Sequence, residues 1–408
     1  MLIDKHHLPI FGTPELGALN LTLGIISFAE GLIAIFVPVF FWNLGMPIWK
    51  ILFFYLLHST LFLVFAFSLL PLVRRLSDKM LMFLSIPFLA LHFLGLAVMK
   101  TYPFLFFALP IASALHALFF NIGYNINFSN AADKAKLGKE VGVRYAFGSI
   151  LALVAPFLGG ILIEARGFQN TFFIGTVLLL VSVFPLFFFP KRTMSSHLSI
   201  GSITAFFKER ELHPFTISGA GYASEIIVRG TIWPLFIFIA IGNYKEFGGV
   251  ISLGLIVTAI VTYLVGFLAD YGKRRKVITW SSLGNTAVWL VRLFITVPAM
   301  IVGIHIGGNV ISSGLMVAWT SQYYKITKTV SDATSFIINR EILYNATRII
   351  FIPILMLIAY LVPTSVFFPL SFIAAALTSL LFMAANATHS HLVTGRATLE
   401  HVDNDQLA

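Results

Sequence analysis

Residues 25–41 read IISFAEGLIAIFVPVFF, in which one carboxylate, Glu30, interrupts an apolar run and Pro38 follows it. The second half of the chain repeats this arrangement at residues 222–237, YASEIIVRGTIWPLFI, where Glu225 precedes another proline. The two prolines are 196 positions apart (234 − 38), about half of the chain. Because a carboxylate in hydrocarbon is costly, each acid needs a partner or a function. The repeat predicts two related halves, with a site where these two stretches meet.

The composition is that of a membrane protein. Of the 408 residues, 58% are hydrophobic and only 11% are charged, whereas roughly 25% of a typical soluble domain is charged. The mean hydropathy of +0.91 is too high for a soluble core, so lipid is the expected solvent. The absence of cysteine excludes disulfides, thiolate metal sites and cysteine nucleophiles. The net charge of +10 is spread between apolar runs, so we expect no nucleic acid partner.

Twelve apolar segments are long enough to cross a bilayer, which takes roughly 20 helical residues. They are predicted at residues 17–42, 49–71, 80–99, 103–126, 143–164, 169–190, 214–240, 248–270, 277–298, 299–320, 335–361 and 365–386. These continuous runs lack the alternation of membrane β-barrel strands. The expected fold class is an all-α integral membrane protein, with twelve transmembrane helices arranged as two pseudo-symmetric six-helix bundles.

Lysine and arginine cluster after the even-numbered segments. These loops contain Arg74, Arg75, Lys79, Lys134, Lys136, Lys139, Lys191, Arg192, Lys208, Arg210, Lys273, Arg274, Arg275, Lys276, Lys325 and Lys328. The intervening loops carry at most one basic residue each. Since basic loops stay in the cytoplasm, we expect a multi-pass protein of the cell membrane with both termini cytoplasmic.

A polar stretch at residues 191–213 separates six segments from six. The predicted units are an N-terminal bundle, a cytoplasmic linker, a C-terminal bundle and a cytoplasmic tail, at residues 1–190, 191–213, 214–387 and 388–408 respectively. Within the linker, Ile203, Phe206 and Phe207 could line one side of a short interfacial helix. A flexible tether is the equally weighted alternative.

Four ionisable groups lie near the middle of their segments, at a rise of about 1.5 Å per residue. They are Glu30, Glu225, Arg229 and Arg348. Such groups usually face a polar cavity or each other. We expect Glu30 to load and release a proton, and Arg348 or Arg229 to bind an anionic group of a solute. Alternatively Glu225 and Arg229, one helical turn apart, neutralise one another.

Other polar residues within the segments include the histidines His58, His116 and His305. With one histidine per helix and no second ligand nearby, no metal site is predicted. His116 and Asn121 are candidates to line a cavity, or to make hydrogen bonds between helices. No Walker A sequence, HExxH motif or nucleophile–base set is present, so we expect neither an enzyme nor a bound cofactor.

Two more arginines have predicted positions. Arg340 and Glu341 are adjacent and are expected to point to different faces of a helix, near its cytoplasmic end. Arg340 is therefore a candidate gate residue. Arg292 lies about 15 residues into the ninth segment and is expected to reach the outer interface.

Residues 266–275, GFLADYGKRR, leave the eighth segment with an acid and then a basic cluster, Lys273, Arg274 and Arg275. This run resembles the G-x-L-A-D-R-x-G-R-R signature of the major facilitator superfamily. Asp270 can pair with a cation or cap a neighbouring helix in one state and not in another, so Asp270 and the three basic residues are candidate gating residues.

Two more runs are similar to motifs of this superfamily. A shorter copy of the first signature, RLSDK at residues 75–79, contains Asp78, and the resemblance makes this acid a candidate gating residue of the first half. Residues 155–160, APFLGG, are similar to the G-P-x-x-G-G antiporter motif. Its small residues Gly159 and Gly160, together with Pro156, would let the fifth helix bend and pack closely.

The resemblance implies two six-helix bundles, alternating access and secondary transport that is commonly proton-linked. We therefore expect a monomeric secondary transporter of a small organic solute, coupled to protons, with efflux or antiport favoured. Proton-coupled symport of a nutrient or an organic anion is an alternative. A non-transporting receptor or assembly partner with a transporter fold is an alternative of another class.

Overall fold

The computed structural model describes residues 14–187, 200–268, 274–330 and 332–387, and all regular structure within them is helical. Ten stretches are long and apolar enough to cross a membrane. One of these, Lys134–Leu186, has 53 residues and forms two spans. The helix Arg274–Val291 adds another of more polar composition. The described chain therefore contains twelve spans, as predicted.

We number these spans α1 to α12. They occupy Leu16–Asn43 (α1), Ile48–Ser68 (α2), Asp78–Val98 (α3), Leu105–Ala131 (α4), 137–166 (α5), 168–186 (α6), Arg210–Ile241 (α7), Tyr244–Leu268 (α8), Arg274–Val291 (α9), Pro298–Thr327 (α10), Ala333–Leu361 (α11) and Thr364–Ala387 (α12). Gly167 separates α5 from α6 with φ of +77°, a left-handed conformation that favours glycine. Short helices lie at Leu70–Arg75 and Ile200–Lys208.

The two halves, α1–α6 and α7–α12, pack in the same pattern. The contacts α1–α5, α2–α4, α3–α4 and α3–α6 recur as α7–α11, α8–α10, α9–α10 and α9–α12. The halves meet along two seams, α5 against α8 and α2 against α11. These seams are themselves equivalent, because α2 corresponds to α8 and α5 to α11. The internal repeat seen in the sequence is thus repeated in the packing.

Both leading helices lose regular α-geometry between the acid and the proline. A proline clashes with the carbonyl four residues before it and removes one backbone donor. In α1 the segment Ala34–Phe36, before Pro38, is a 3-10 helix. In α7 the segment Val228–Ile232, before Pro234, is a π-helix. Such departures often mark functional positions in helices.

The seam between α5 and α8 is a backbone contact. A Cβ at Gly160 would lie 2.3 Å from the carbonyl oxygen of Tyr244, and one at Gly248 would lie 2.1 Å from that of Pro156. On the other side of α5, a Cβ at Gly159 would lie 2.7 Å from the carbonyl oxygen of Leu32 in α1. The APFLGG run therefore packs α5 closely against both α1 and α8.

The helix Ile200–Lys208 corresponds to the short helix considered for the linker. Ile203 and Phe206 are buried, and the Phe206 ring lies 5.6 Å from the Phe336 ring of α11. Phe207 is 36% exposed. Residues 188–199 lie outside the described residues. This part of the linker packs against the second half instead of forming a loose tether.

We predict that Gly160→Ala destabilises the protein, because the added methyl group would clash with backbone and force α5 and α8 apart. Overpacking of this kind costs about 1–3 kcal/mol. Gly303→Ala in α10 is the matched control, since its Cβ would meet nothing within 4 Å. That control should be neutral or stabilising by helix propensity. Thermal unfolding in detergent measures both, and equal shifts would contradict the close contact.

Candidate functional site: a cavity between the two halves

A cavity of about 470 Å³ lies between the two halves. It is lined by α1, α2, α3 and α4 of the first half and by α7 and α11 of the second. Its volume falls within the range of small-molecule sites, roughly 300–1,000 Å³. The wall is mostly apolar, and a few polar side chains face the cavity. We call it the central cavity.

Glu30 lines the central cavity from α1, one turn before the 3-10 segment. The side chain is half-buried. Within the part of the chain that the structure describes, its carboxylate makes no hydrogen bond and no ion pair. The predicted placement of this acid in a cavity is therefore observed, and the carboxylate is open to a ligand or a proton.

Arg348 lines the same cavity from α11. It is half-buried, its Nε atom has no hydrogen-bond partner, and no ion pair to a described residue is formed. Glu30 and Arg348 thus bring opposite charges to one cavity without neutralising each other directly. A cavity with two unpaired charges can bind an ion or a polar ligand, which a purely structural core would not do.

The first half adds three histidines to the wall, His58, His92 and His116. His116 binds the backbone of α3 through Nδ1, which lies 3.0 Å from the carbonyl oxygen of Ser85. It therefore makes a hydrogen bond between helices and also faces the cavity, so both roles considered for it occur together. Among the described residues, no group of three or more His, Asp or Glu side chains is placed to hold a metal ion.

A second, smaller cavity of about 140 Å³ shares Asn121 and Arg348 with the first. Arg144, Arg340 and Glu341 also line it. It lies toward the side of the protein whose loops carry the basic clusters, which we call the basic side. Asn121, a predicted site residue, reaches both cavities.

Arg144 and Arg340 occupy equivalent places in the two halves, 196 positions apart (340 − 144). The guanidinium carbon of Arg144 lies 4.3 Å from the ring centre of Tyr124. That of Arg340 lies 3.9 Å from the ring centre of Tyr323. The two tyrosines are 199 positions apart (323 − 124), so each half places one arginine over one tyrosine in a cation–π contact.

Hydrogen bonds join the two halves on the basic side. The Tyr324 hydroxyl donates to Asn125 Oδ1 at 2.6 Å and accepts from Arg144 Nη1 at 2.9 Å. Asn121 donates to Glu341 Oε2 at 3.2 Å. These bonds link α4 and α5 to α10 and α11 and close the basic side of the protein.

The loop after α10 adds another bond between the halves on this side. Lys328 donates to the carbonyl oxygen of Ala132 in the first half. Burial lowers the pKa of the Lys328 ammonium, although the nearby Glu140 carboxylate opposes this. The Lys328 ammonium therefore makes this hydrogen bond although burial removes part of its hydration.

On the opposite side of the protein, the described residues of the two halves form fewer hydrogen bonds with each other. Asn43 donates to the Tyr244 hydroxyl at 3.0 Å, and the backbone N–H of Lys245 donates to Glu164 at 3.1 Å. The polar closure between the halves is thus more extensive on the basic side.

The prediction that Arg340 and Glu341 point to different faces is wrong. Arg340 Nη2 forms a short ion pair with Glu341 Oε1 inside the second cavity. Both side chains are long enough to turn toward a shared polar space, even though their Cα atoms are adjacent on α11. A buried pair of this kind is favoured where low polarity strengthens the attraction.

Glu225 does not line the central cavity, contrary to the expectation that the acids of both leading helices would face it. At the repeat offset of 196, the equivalent of Glu30 is Ile226 (30 + 196), which does line the cavity. Glu225 is one residue earlier, a rotation of about 100° on a helix. It therefore points into the second half.

Glu225 is fully buried there and well paired. Arg229 Nε lies 3.2 Å from Glu225 Oε2, while Trp289 Nε1 and Asn285 Nδ2 approach Oε1 to 3.2 and 3.4 Å. Arg229 likewise is not part of the cavity wall. The structure thus places Glu225 and Arg229 in the mutual neutralisation given above as the alternative.

Arg292 is buried, so the prediction that it reaches the outer interface is wrong. Its guanidinium carbon lies 3.6 Å from the ring centre of Trp289 and 4.0 Å from that of Trp233. The Trp233 indole in turn donates to His305 Nδ1 at 3.1 Å. Two aromatic faces offer this cation an alternative to water, which explains why it stays inside.

Of the four gating candidates that follow α8, the structure describes two. Asp270 and Lys273 lie outside the described residues. Arg274 donates to Ser321 at 3.0 Å, and the carbonyl oxygen of Arg275 accepts from Asn386. These contacts stay within the second half.

Asp78, the predicted gating acid of the first half, is fully buried. It accepts a hydrogen bond from Asn127 of α4 at 2.9 Å. This bond holds α3 to α4 within the first half, so the structure shows Asp78 joining helices of one bundle.

Several participants, among them His92, Arg144 and Tyr324, are not among the residues predicted from sequence. His92 lies alone in an apolar segment, which is the same signal that identifies His116. Tyr324 makes two of the hydrogen bonds that close the basic side, and a tyrosine at the end of a span has no distinctive pattern. Arg144 and Arg340 are separated by the repeat offset of 196, which is a signal that could have identified this region.

No family model and no curated protein matches the sequence. Solved structures do match. The E. coli fucose:proton symporter FucP has a TM-score of 0.67 at 13% identity, over 95% of this chain and 100% of that one. The human organic anion transporter MFSD10 gives 0.67 at 12%, over 90% and 99%. The nucleoside transporter NupG gives 0.66 at 15%, over 91% and 99%. These likenesses confirm the predicted fold class.

We predict that Glu225→Gln destabilises the protein far more than Glu30→Gln. Removing the Glu225 charge breaks its ion pair with the half-buried Arg229, and losing one partner of a buried pair costs up to about 3–5 kcal/mol. Glu30 has no partner to lose, so its neutral replacement should cost less than about 1 kcal/mol. Thermal unfolding of the two variants side by side tests this. Equal losses would mean that Glu30 is also part of a structural ion pair.

Proposed function

We propose that this chain, which has the fold of the major facilitator superfamily, is a secondary transporter that moves a small organic solute by alternating access. The observation that carries the proposal is the central cavity, where Glu30 and Arg348 have no ion-pair partner among the described residues of the two halves. Transporters of this architecture rock their halves about a site near the midplane. The similar structures are transporters, which also supports a role other than enzyme catalysis.

Glu30 is the proposed proton carrier. A carboxylate without a partner can bind a proton when the cavity is open to one side and release it to the other. Arg348 is the proposed site for an anionic group of the solute, because a guanidinium matches carboxylate and phosphate geometry. The matching structures include a fucose:proton symporter and an organic anion transporter, and both kinds of chemistry fit this pair of charges.

The basic side is the proposed cytoplasmic side, by the positive-inside rule. The bundles at residues 1–190 and 214–387 would then rock in the cell membrane with both termini in the cytoplasm. The hydrogen bonds of Tyr324, Asn121 and Lys328 form the proposed cytoplasmic gate. The proposed gate is closed when these bonds are formed.

The APFLGG run favours efflux or antiport as the direction of transport. Symport of a nutrient or an organic anion is the second candidate, favoured by the unpaired Arg348. A non-transporting receptor would need no unpaired charges in a cavity, so Glu30 and Arg348 argue against that class. We expect the chain to work as a monomer in the bilayer with protons as the coupling ion.

Alternating access can be tested without knowing the solute. The chain has no native cysteine, so Ala34→Cys places a single thiol at the central cavity. A membrane-impermeant maleimide should label it from either side of the membrane, and the ratio between the sides should change with pH. Adding Glu30→Gln should abolish this pH dependence. Labelling from one side only would contradict alternating access, and an unchanged pH profile would contradict the role of Glu30.

The gate yields a second prediction, Tyr324→Phe. This change removes one oxygen and with it two hydrogen bonds between the halves, so the basic side should open more often. At about 1 kcal/mol for each bond, labelling of Ala34→Cys from the basic side should rise roughly tenfold or more. Tyr323→Phe is the adjacent control, because among the described residues the Tyr323 hydroxyl has no hydrogen-bond partner. Equal labelling of both variants would exclude Tyr324 from the gate.

A further inference from the structure

One wall of the central cavity carries imidazole rings from three different helices. His58 comes from α2, His92 from α3 and His116 from α4. His58 lies within electrostatic range of the other two and of Arg348. Three imidazole rings on consecutive helices can therefore contact one ligand together.

Two of the rings have a defined proton position. His92 Nδ1 lies 3.3 Å from the carbonyl oxygen of Leu109, and His116 Nδ1 lies 3.0 Å from that of Ser85. A carbonyl oxygen only accepts, so Nδ1 carries the proton in both rings. The Phe120 ring stacks on His116 with centres 5.4 Å apart and holds its orientation.

In the third ring, that of His58, a serine hydroxyl fixes the proton position. His58 Nδ1 lies 2.8 Å from Ser113 Oγ. The Ser113 hydroxyl donates its own proton to the carbonyl oxygen of Pro110 at 3.2 Å. The serine oxygen therefore accepts from His58, and Nδ1 is again the protonated atom.

A neutral imidazole has one N–H, so Nε2 is a hydrogen-bond acceptor in all three rings. Among the described residues, none of these Nε2 atoms has a hydrogen-bond partner, and none is fully buried. They are accessible from the cavity that the rings line. The wall thus presents three acceptors and needs a ligand that supplies donors.

Hydroxyl groups and ammonium groups are the two donor classes that could fit. Arg348 lies within electrostatic range of His58, so a second cation beside His58 would be repelled, while Glu30, the acid that would attract one, is the proposed proton carrier. A neutral hydroxyl carries no such penalty. Arg348 itself supplies a free guanidinium for an anion.

Resting on the transport function proposed above, we propose that the central cavity binds a small organic acid that carries several hydroxyl groups. Its anionic group would bind Arg348, and its hydroxyls would donate to Nε2 of His58, His92 and His116. The histidines therefore determine specificity for hydroxylated over plain organic acids. A site built to accept from a hydroxyl discriminates strongly against the analogue that lacks it, because its buried polar atoms are then left unpaired.

The test compares gluconate with hexanoate, a hydroxylated and a plain monocarboxylate of equal chain length. Binding to the purified full-length protein in detergent is measured by calorimetry. We expect the Kd of gluconate to be at least roughly tenfold lower than that of hexanoate. His116→Asn and His92→Asn should each weaken gluconate binding several-fold and leave hexanoate binding unchanged.

Asparagine suits this test because its amide nitrogen can replace Nδ1 as donor to the wall while no atom replaces Nε2. His305→Asn is the matched control, because His305 is buried in the second half and does not line the cavity. It should leave the preference for gluconate unchanged.

Three results would overturn the inference. They are that hexanoate binds as tightly as gluconate, that neither acid binds, or that His92→Asn and His116→Asn keep the full preference for gluconate over hexanoate. The labelling of Ala34→Cys needs no ligand, so it reports separately on the transport proposal. A protein that alternates access without preferring gluconate would retain the proposed function and lose this substrate class.

Discussion

An ionisable side chain within the bilayer must be paired with an opposite charge, stacked on aromatic rings or exposed to a polar cavity. This chain uses all three solutions. Glu225 is paired with Arg229, Arg292 lies between two tryptophan rings, and Glu30 faces the central cavity. The paired and stacked groups, Glu225, Arg229 and Arg292, stabilise the second half. Glu30 and Arg348, which have no partner among the described residues, mark the place where the protein can bind a ligand.

The division between the halves follows from this constraint. The second half neutralises its acid internally, while the first half presents its acid and three histidines to the cavity. A single position separates the two outcomes, since Ile226 and not Glu225 is the equivalent of Glu30. Related halves can thus share one packing pattern and still contribute different chemistry, the first half the acid and the acceptors, and the second half the guanidinium of Arg348.

Much of the fold was predictable because the bilayer imposes it. Hydrophobic length gave the twelve spans, and the offset of 196 between Pro38 and Pro234 gave the two related halves. The site was predictable in part, because a lone charge such as Glu30 or Arg348 is conspicuous in an apolar run. Side-chain direction was not predictable from spacing alone. Glu225 differs from a cavity position by one residue, Arg340 turns to the adjacent Glu341, and Arg292 is held partly by Trp233, which is distant in sequence.

The glycine contacts between α5 and α8 have a consequence for how this chain can vary. The backbones of the two helices touch at Gly160 and Gly248, so no side chains interlock at these points. If the halves tilt as proposed, the free energy of opening lies mainly in the few hydrogen bonds between the halves on the basic side. Single substitutions at those hydrogen bonds should then change the opening rate, whereas a larger residue at either glycine would push the two helices apart.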